Sequence, residues 1–353
     1  MVTMGMERKP KQDKSMNTTK RFLATNGNGM SCVENINGIW NKRTLLENQR
    51  VNFLIQNPEV SDRIFAATQN DGVLVSNDGG KHWETIGLTG IPIKSLAVNP
   101  SIPETIYAGC KPVSMYVSRN GGKTWKELEG LRKARRWWWF SPAEPPDWQS
   151  YVQALTISPT HPDVILAGIE YGGVLRSEDG GITWSKHLSG ADRDCHSLKF
   201  HPTNANWVYQ GGGGGAAVSQ DGGKIWKKPK AGIGKKYGWM VAADAQRPEV
   251  WYFSASDFPK LWRGEFIPPA HRDGQAKAHI YRKVGGAAWE QLSGGLPDPL
   301  DYMAYALIPD PNLTGHLYAG LANGDVWHTQ DYGDSWNKLP FNLGGIHRSM
   351  IMI

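Results

Sequence analysis

"SEDGGITW", residues 177–184, combines an acid, two adjacent glycines and a tryptophan. The octet recurs as "SNDGGKHW" ending at Trp83, "SRNGGKTW" at Trp125, "SQDGGKIW" at Trp226 and "TQDYGDSW" at Trp336. Weaker copies, "VENINGIW" and "RKVGGAAW", end at Trp40 and Trp289. These seven copies form an internal repeat of about 42 residues with two longer intervals.

Each unit has one grammar. "IKSLAVNPSIPETIYAGCKPVSMYVSRNGGKTWKELEG" reads as a strand ("KSLAV"), an Asn-Pro turn, a second strand ("TIYAG"), a loop, a third strand ("MYVS"), the Gly-Gly turn and a fourth strand ("TWKEL"). Four short strands per repeat of this length describe a propeller blade. The octet then falls between the third and fourth strands. Asp179 is expected to accept hydrogen bonds from nearby backbone N–H groups, as Asp does in Asx-type turns. Gly180 and Gly181 permit positive φ, and Trp184 anchors the turn in the blade. A motif repeated around a ring serves the fold, because binding sites are rarely repeated identically in this way.

The chain ends fit the same scheme. "RFLATNGNGMSCVENINGIWNK" matches strands two to four of the next unit and lacks a first strand, while "RSMIMI" (348–353) is a first-strand segment with no blade of its own. The expected fold is all-β: a seven-bladed β-propeller of four-stranded blades, closed by one C-terminal strand plus three N-terminal strands. Residues 1–20 read as a disordered tail. Residues 21–353 read as a single propeller with insertions at 130–151 and 254–279.

Composition agrees with this picture. Hydrophobic residues make up 40% of 353, with 41 glycines, 22 prolines and 16 tryptophans, which favours short aromatic-rich strands and many turns. The net charge of +6 suits an anionic ligand or an ordinary surface, but is small for a dedicated nucleic-acid binder. Three cysteines, Cys32, Cys110 and Cys195, argue against a disulfide framework. There is no apolar run long enough to span a membrane and no secretory signal in the first 20 residues, so a cytoplasmic location is expected.

The octet resembles the Asp-box (BNR) repeat of sialidases, sortilin-type receptors, the photosystem II assembly factor of photosynthetic organisms and some xyloglucan-cleaving glycosidases. It is most similar in character to bacterial BNR-repeat proteins of the sialidase-like class. The resemblance extends over essentially the whole chain after residue 20 and implies the fold. It implies no particular activity, because such folds host many functions. Sialidase chemistry itself fits poorly. The resemblance would require six blades, an Arg-Ile-Pro motif, three carboxylate-clamping arginines and a Tyr–Glu nucleophile pair. Here the single Arg-Ile, Arg63-Ile64, is followed by Phe65, and Arg50, Arg193 and Arg348 lie near the channel mouth at unmatched positions.

In propellers of this kind ligands usually bind the face opposite the Asp boxes. Both insertions are expected there, as are "GIEYGG" (168–173), "SGADRDCH" (189–196) and the glycine tract "QGGGGG" (210–215). Aligned first strands place Asn52, Lys94, Gln153, His196, Trp239, Tyr305 and Ser349 at one level, above an aliphatic layer of Leu54, Leu96, Leu155, Leu198, Val241, Leu307 and Ile351. The candidate catalytic residues are His196, Glu170 and Asp194. In that role a carboxylate would tune an imidazole acting as acid or base. The candidate ligand-binding residues are Asn52, Lys94, Arg136, Trp138, Gln153, Tyr171, Arg193, Trp239, Tyr302, Tyr305 and Arg348. Arginine suits carboxylate or phosphate, and tryptophan suits sugar rings. A metal site from Asp192, Asp194, His196 and Glu170 lacks a strong spacing signature, so no metal and no cofactor is expected.

The expected function is a binding or scaffold propeller recognising a glycan, a small acidic ligand or a protein partner on the loop-rich face. The alternative is a hydrolase or lyase acting on an acidic sugar or related small molecule in the channel mouth, with His196 and Glu170 or Asp194 as acid and base and Tyr305 or Tyr302 assisting. Nucleic acid is an unlikely partner and no membrane association is expected.

Overall fold

The Asp-box octet folds into a closed, hydrogen-bonded turn. The computed structural model describes residues 20–137, 139, 141, 148–257, 260–262, 265–267 and 274–353. The Ser177 hydroxyl donates to Asp179 Oδ1 and accepts the Gly181 N–H, both at 2.8 Å. Asp179 accepts the Thr183 N–H at 2.9 Å and the Thr183 hydroxyl at 2.6 Å. The Trp184 indole N–H donates to the Gly181 carbonyl at 3.0 Å. Gly180 and Gly181 sit at φ 67° and 89°, where a side chain would be strained. Asp78, Asp221 and Asp331 organise equivalent turns.

An arginine links several of these turns to the preceding blade. Arg21, Arg63, Arg176 and Arg282 donate to the carbonyls of Gly79, Gly121, Gly222 and Tyr332 at 2.8, 3.4, 3.2 and 3.1 Å respectively. Carboxylates hold all four in position: Glu34 beside Arg21 and Glu104 beside Arg63, each at 2.5 Å, Glu178 beside Arg176, and Glu290 and Asp334 beside Arg282, each at 2.7 Å.

Seven antiparallel sheets are arranged as a β-propeller, and Lys260–Trp262 pairs with Glu265–Ile267 in a separate two-stranded sheet within the insertion of blade six. Blade one joins Met350–Met352 to Arg21–Thr25, Met30–Ile36 and Ile39–Leu45. Blades two, three, six and seven have four strands each, beginning with Val51–Gln56, Ile93–Val98, Tyr237–Ala243 and Ala304–Pro309. Blades four and five begin with Val152–Ile157 and Cys195–Phe200 and have three regular strands. Their fourth strands are reduced to a few bonds: Ser185 and Leu188 donate to Arg176 and Val174, and Val218 bridges Lys227. Neighbouring blades share their cores, as where Phe65, Ala67 and Val75 of blade two meet Ile93, Leu96 and Ile106 of blade three.

The ring closes in blade one. Phe22, Leu23 and Ala24 pair with Met352, Ile351 and Met350. Beyond the ladder, the Thr25 N–H donates to Ser349 O at 3.0 Å and the His347 N–H to Thr25 O at 2.6 Å. All three cysteines are buried and free, and no helix among the described residues is long and apolar enough to cross a membrane.

The closing ladder makes a direct prediction. Proline at Ile351 removes a ladder donor opposite Leu23, and Ile351→Pro should lower unfolding stability by ~2–3 kcal/mol or more. An unchanged denaturant midpoint would show that closure contributes little.

The Asp boxes make a second prediction, about acid. At Asp331 partial burial acts to raise the pKa, but hydrogen bonds from Ser335 and Thr329 outweigh it and hold the carboxyl at about 2. A carboxyl depressed in the folded state contributes stability that is complete above its unfolded value, near 4, and is lost as pH falls towards 2. Thermal melts of Asp331→Asn should therefore start below wild type near neutrality and decline less steeply through that acid window.

Candidate functional site

The site grows from one irregularity repeated around the ring. Each first strand loses register with its neighbour at the same level, between Val51 and Phe53, Ile93 and Ser95, Val152 and Ala154, Cys195 and Ser197, Gly238 and Val241, and Ala304 and Ala306. A β-bulge inserts one residue that has no partner opposite and re-aims its side chain. The residues at these bulges are Asn52, Lys94, Gln153, His196, Trp239 with Met240, and Tyr305. The closing strand achieves the turn differently, with Arg348 at φ 76° just ahead of Ser349.

Beneath the bulges the aliphatic layer is buried, with Leu54, Leu96, Leu155, Leu198, Val241 and Leu307 at most 8% exposed. Together the two layers enclose a cavity of about 180 Å³. Asn52, Lys94, Gln153, His196, Trp239 and Arg348 line it, so the structure brings six of the residues singled out from sequence around one space. Lys199 also lines it. The cavity thus has three cationic side chains, Lys94, Lys199 and Arg348, and no carboxylate among the described lining residues. Remoteness from bulk water lowers the Lys199 amine to about 8. Lys94 donates to Gln69 Oε1 at 2.9 Å and lies 5.5 Å from the Tyr151 ring centre. The Arg348 guanidinium lies 5.7 Å from the Trp239 ring centre.

The acid residues gather beside this cavity, between blades four and five. Glu170, Asp194 and His196 each place a polar atom within 4.8 Å of the others. His196 Nδ1 lies 2.6 Å from the Gly238 carbonyl, and its Nε2 lies 3.4 Å from Asp194 Oδ1. Its ring packs on Trp239 and Tyr237, with centroids 4.5 and 5.2 Å away. Burial disfavours the charged imidazole, but the carboxylates of Asp194 and Glu170 and the Gly238 carbonyl together raise its pKa to about 9. Burial, reinforced by Asp194, Glu170 and Asp192, pushes the Tyr171 hydroxyl up to about 12.

The link that carries Asp194 is fixed from both sides. Gln210 accepts the Asp192 N–H at 2.7 Å and donates to the Asp192 carbonyl at 2.9 Å. Asp192 Oδ1 accepts the Asp194 N–H at 2.9 Å, and Oδ2 pairs with Lys228 at 2.5 Å. The glycine tract provides the floor. A Cβ at Gly213 would collide with the Asp194 carboxylate, and one at Gly214 with that of Asp192. The tract therefore exists to admit the link, not to form a loose hairpin tip.

The other sequence candidates are dispersed. Tyr305 is 2% exposed and meets Trp239 edge-on at 4.9 Å, behind the cavity wall. Tyr171 stands beside the acid cluster at φ 51°. Arg193 and Arg136 are exposed. Tyr302 packs into the core shared by blades six and seven. Trp138 lies outside the described residues. Its neighbours diverge: Trp139 is buried among residues of blades three and four, and Trp137 is 92% exposed. Two residues of the site escaped the sequence reading. Tyr237 precedes the aligned level and carries no repeat signal. Lys199 carried one, because blades two, three, four and seven have Ile55, Ala97, Thr156 and Ile308 at its level.

Comparison with known proteins agrees with the repeat. Residues 116–127 match the BNR/Asp-box repeat. The chain is a β-propeller that carries the Asp-box (BNR) repeat. Over 205 residues it is 30% identical to the oligoxyloglucan-reducing end-specific xyloglucanase of Emericella nidulans, covering 54% of this chain and 24% of that protein. The propeller thus spans about a quarter of the length of this curated relative. An ancestral GH74 enzyme superposes with a TM-score of 0.61 at 19% identity, over 82% of this chain and 38% of the other. YCF48 bound to D1 peptide superposes at 0.53 and 14% identity, over 82% and 81%. YCF48 from Cyanidioschyzon merolae does so at 0.57 and 12% identity, over 84% and 86%. At these identities the solved structures share the fold with the propeller and say nothing of its chemistry.

The floor of the link can be tested. Gly213→Ala should displace the Asp194 carboxylate and cost ~1–3 kcal/mol through overpacking, read as a lowered denaturant midpoint. A neutral result would mean that the link can move away from the tract.

Proposed function

We propose that the protein binds a small anionic saccharide, either a free sugar acid or the acidic end residue of a glycan, at the mouth of its central channel. The carrying observation is the cavity of about 180 Å³ lined by Lys94, Lys199 and Arg348, with no carboxylate among its described lining residues. Drug-sized ligands occupy pockets of roughly 300–1,000 Å³, so this space suits one sugar ring rather than a chain. Lys199 carries the electrostatic part of the reading. Its side chain makes no hydrogen bond or ion pair with another described residue, and an anion beside it would restore its full charge. The Asn52 and Gln153 amides supply hydrogen bonds for hydroxyl groups. The similarity to a xyloglucanase supports a sugar over other anions, although it spans only part of that enzyme.

Hydrolysis is a second reading with one observation in its favour. Glu170 and Asp194 approach each other and His196 to within 4.8 Å. That spacing is too close for the water-wide separation of an inverting carboxyl pair, roughly 6.5–9.5 Å, and lies nearer a retaining arrangement. Turnover of aryl glycosides of acidic sugars would support it.

The binding test is calorimetric titration with uronic acids and their neutral sugar counterparts, in buffer containing a chelator. Uronic acids should bind, neutral sugars should bind at least tenfold more weakly, and Lys199→Met should weaken the acids at least tenfold. The same substitution should leave the melting temperature unchanged or higher, since it removes a desolvated charge. Failure of every acid to bind, or equal binding by Lys199→Met, overturns the reading.

A further inference from the structure

We infer that Glu170, Asp194 and His196 form a binding site for one divalent transition-metal ion of the zinc type, at the rim of the channel mouth between blades four and five. The inference is independent of which sugar the neighbouring cavity takes.

The His196 ring states which nitrogen is available. Its Nδ1 lies 2.6 Å from the Gly238 carbonyl oxygen, which can only accept, so Nδ1 carries the hydrogen. In the neutral ring Nε2 is then a bare lone pair, and it faces the carboxylates. Metal-binding histidines show this same pattern, donating the far N–H to a carbonyl or carboxylate that fixes ring and tautomer.

The distance to Asp194 points the same way. Nε2 and Oδ1 are 3.4 Å apart. This is longer than an ordinary N–H···O bond, roughly 2.7–3.2 Å. Two donors bound at about 2.0–2.1 Å to a tetrahedral ion stand about 3.3–3.4 Å from each other. The spacing matches that of two ligands on one ion.

Asp194 supplies the independent observation. The residue is 9% exposed, and its Oδ1 is buried with no donor in hydrogen-bond geometry, its facing group being His196 Nε2 at 3.4 Å. A buried carboxylate oxygen without a donor carries a desolvation cost that nearly always has a partner to offset it. The nearby carboxylate is no substitute, because Asp192 is already paired with Lys228 and committed to the Asp194 N–H. The two carboxylates favour positive charge at this corner, and a bound dication supplies it in place of the imidazole proton it displaces. One imidazole nitrogen with two carboxylate oxygens suits zinc, cobalt or manganese, and three protein ligands leave a coordination position for water or an anionic ligand.

The test uses the full chain, stripped with chelator and titrated with Co²⁺ and Zn²⁺ alone, without sugar. Calorimetry should give one equivalent. Co²⁺ should produce visible d–d absorption of a low-coordinate nitrogen–oxygen site, and Zn²⁺ should abolish it. His196→Gln, Asp194→Asn and Glu170→Gln should each weaken binding at least tenfold. His82→Gln, which removes an exposed histidine beside Asp78, should leave it unchanged. If His196→Gln fails to fold, the two near-isosteric carboxamide variants decide alone. Absence of a stoichiometric site, or a site that survives all three substitutions, overturns the inference. The sugar titrations run with chelator present, so failure of the metal site and failure of the saccharide reading are separate results.

Discussion

The rest of the molecule depends on one pairing between distant parts of the chain, Phe22, Leu23 and Ala24 against Met352, Ile351 and Met350. A ring of sheets has no edge only when it is closed, and an open edge is a template for aggregation. Closure also has a local consequence. The bonds that pin Thr25 to His347 and Ser349 set the path of residues 347–349. That path turns at Arg348, whose positive φ delivers its guanidinium over Trp239. The strand that completes the fold therefore also completes the mouth.

Six bulges perform the corresponding work in the other blades. A regular strand alternates its side chains, and a strand lining a narrow channel would continue its aliphatic pattern to the rim. One extra residue breaks the alternation just where the channel opens. The polar group it introduces is then supported locally. Asn52 donates to the Ile93 carbonyl at 2.8 Å, Lys94 reaches Gln69, and His196 reaches Gly238. Each support comes from an adjacent blade or loop, so the mouth is tied together across blade boundaries above the aliphatic layer.

The sequence made the repeat legible because its chemistry is local. Ser177, Asp179, Gly181 and Trp184 satisfy one another within eight residues, so the pattern survives in the chain as a motif. The blade count, the closing strand and the aligned mouth positions follow from counting such motifs. The site itself is non-local and was legible only in part. Glu170 meets Asp194 because a loop of blade four leans on the link to blade five, and nothing in the spacing of 170, 194 and 196 encodes that contact. The glycine tract was visible, but its purpose depends on the carboxylates of Asp192 and Asp194 lying against it. The four-strand grammar predicts regular fourth strands in blades four and five as well. Their pairing is thinner, and the chain there passes soon into the link and the lysine-rich segment that supplies Lys228.

A repeat protein separates structural from functional information more cleanly than most folds do. Positions that serve the ring must be similar in every blade, so any position that differs is released from that duty or has another. The level of Leu54, Leu96, Leu155 and Leu198 is uniform and buried. At the next level, Ile55, Ala97, Thr156 and Ile308 frame the single cation Lys199, whose desolvation lowers its pKa and stabilises nothing in the ring. The same logic isolates the acid corner. The other blades have no counterpart to the Asp192–Asp194–His196 run, and it is held by Gln210, Lys228 and a floor of glycine. Cations line the cavity wall, carboxylates gather beside it, and His196 belongs to both groups. Such a division of charge costs folding energy at both ends. It is intelligible where each end has its own ionic occupant, an anion within the cavity and a cation at its edge.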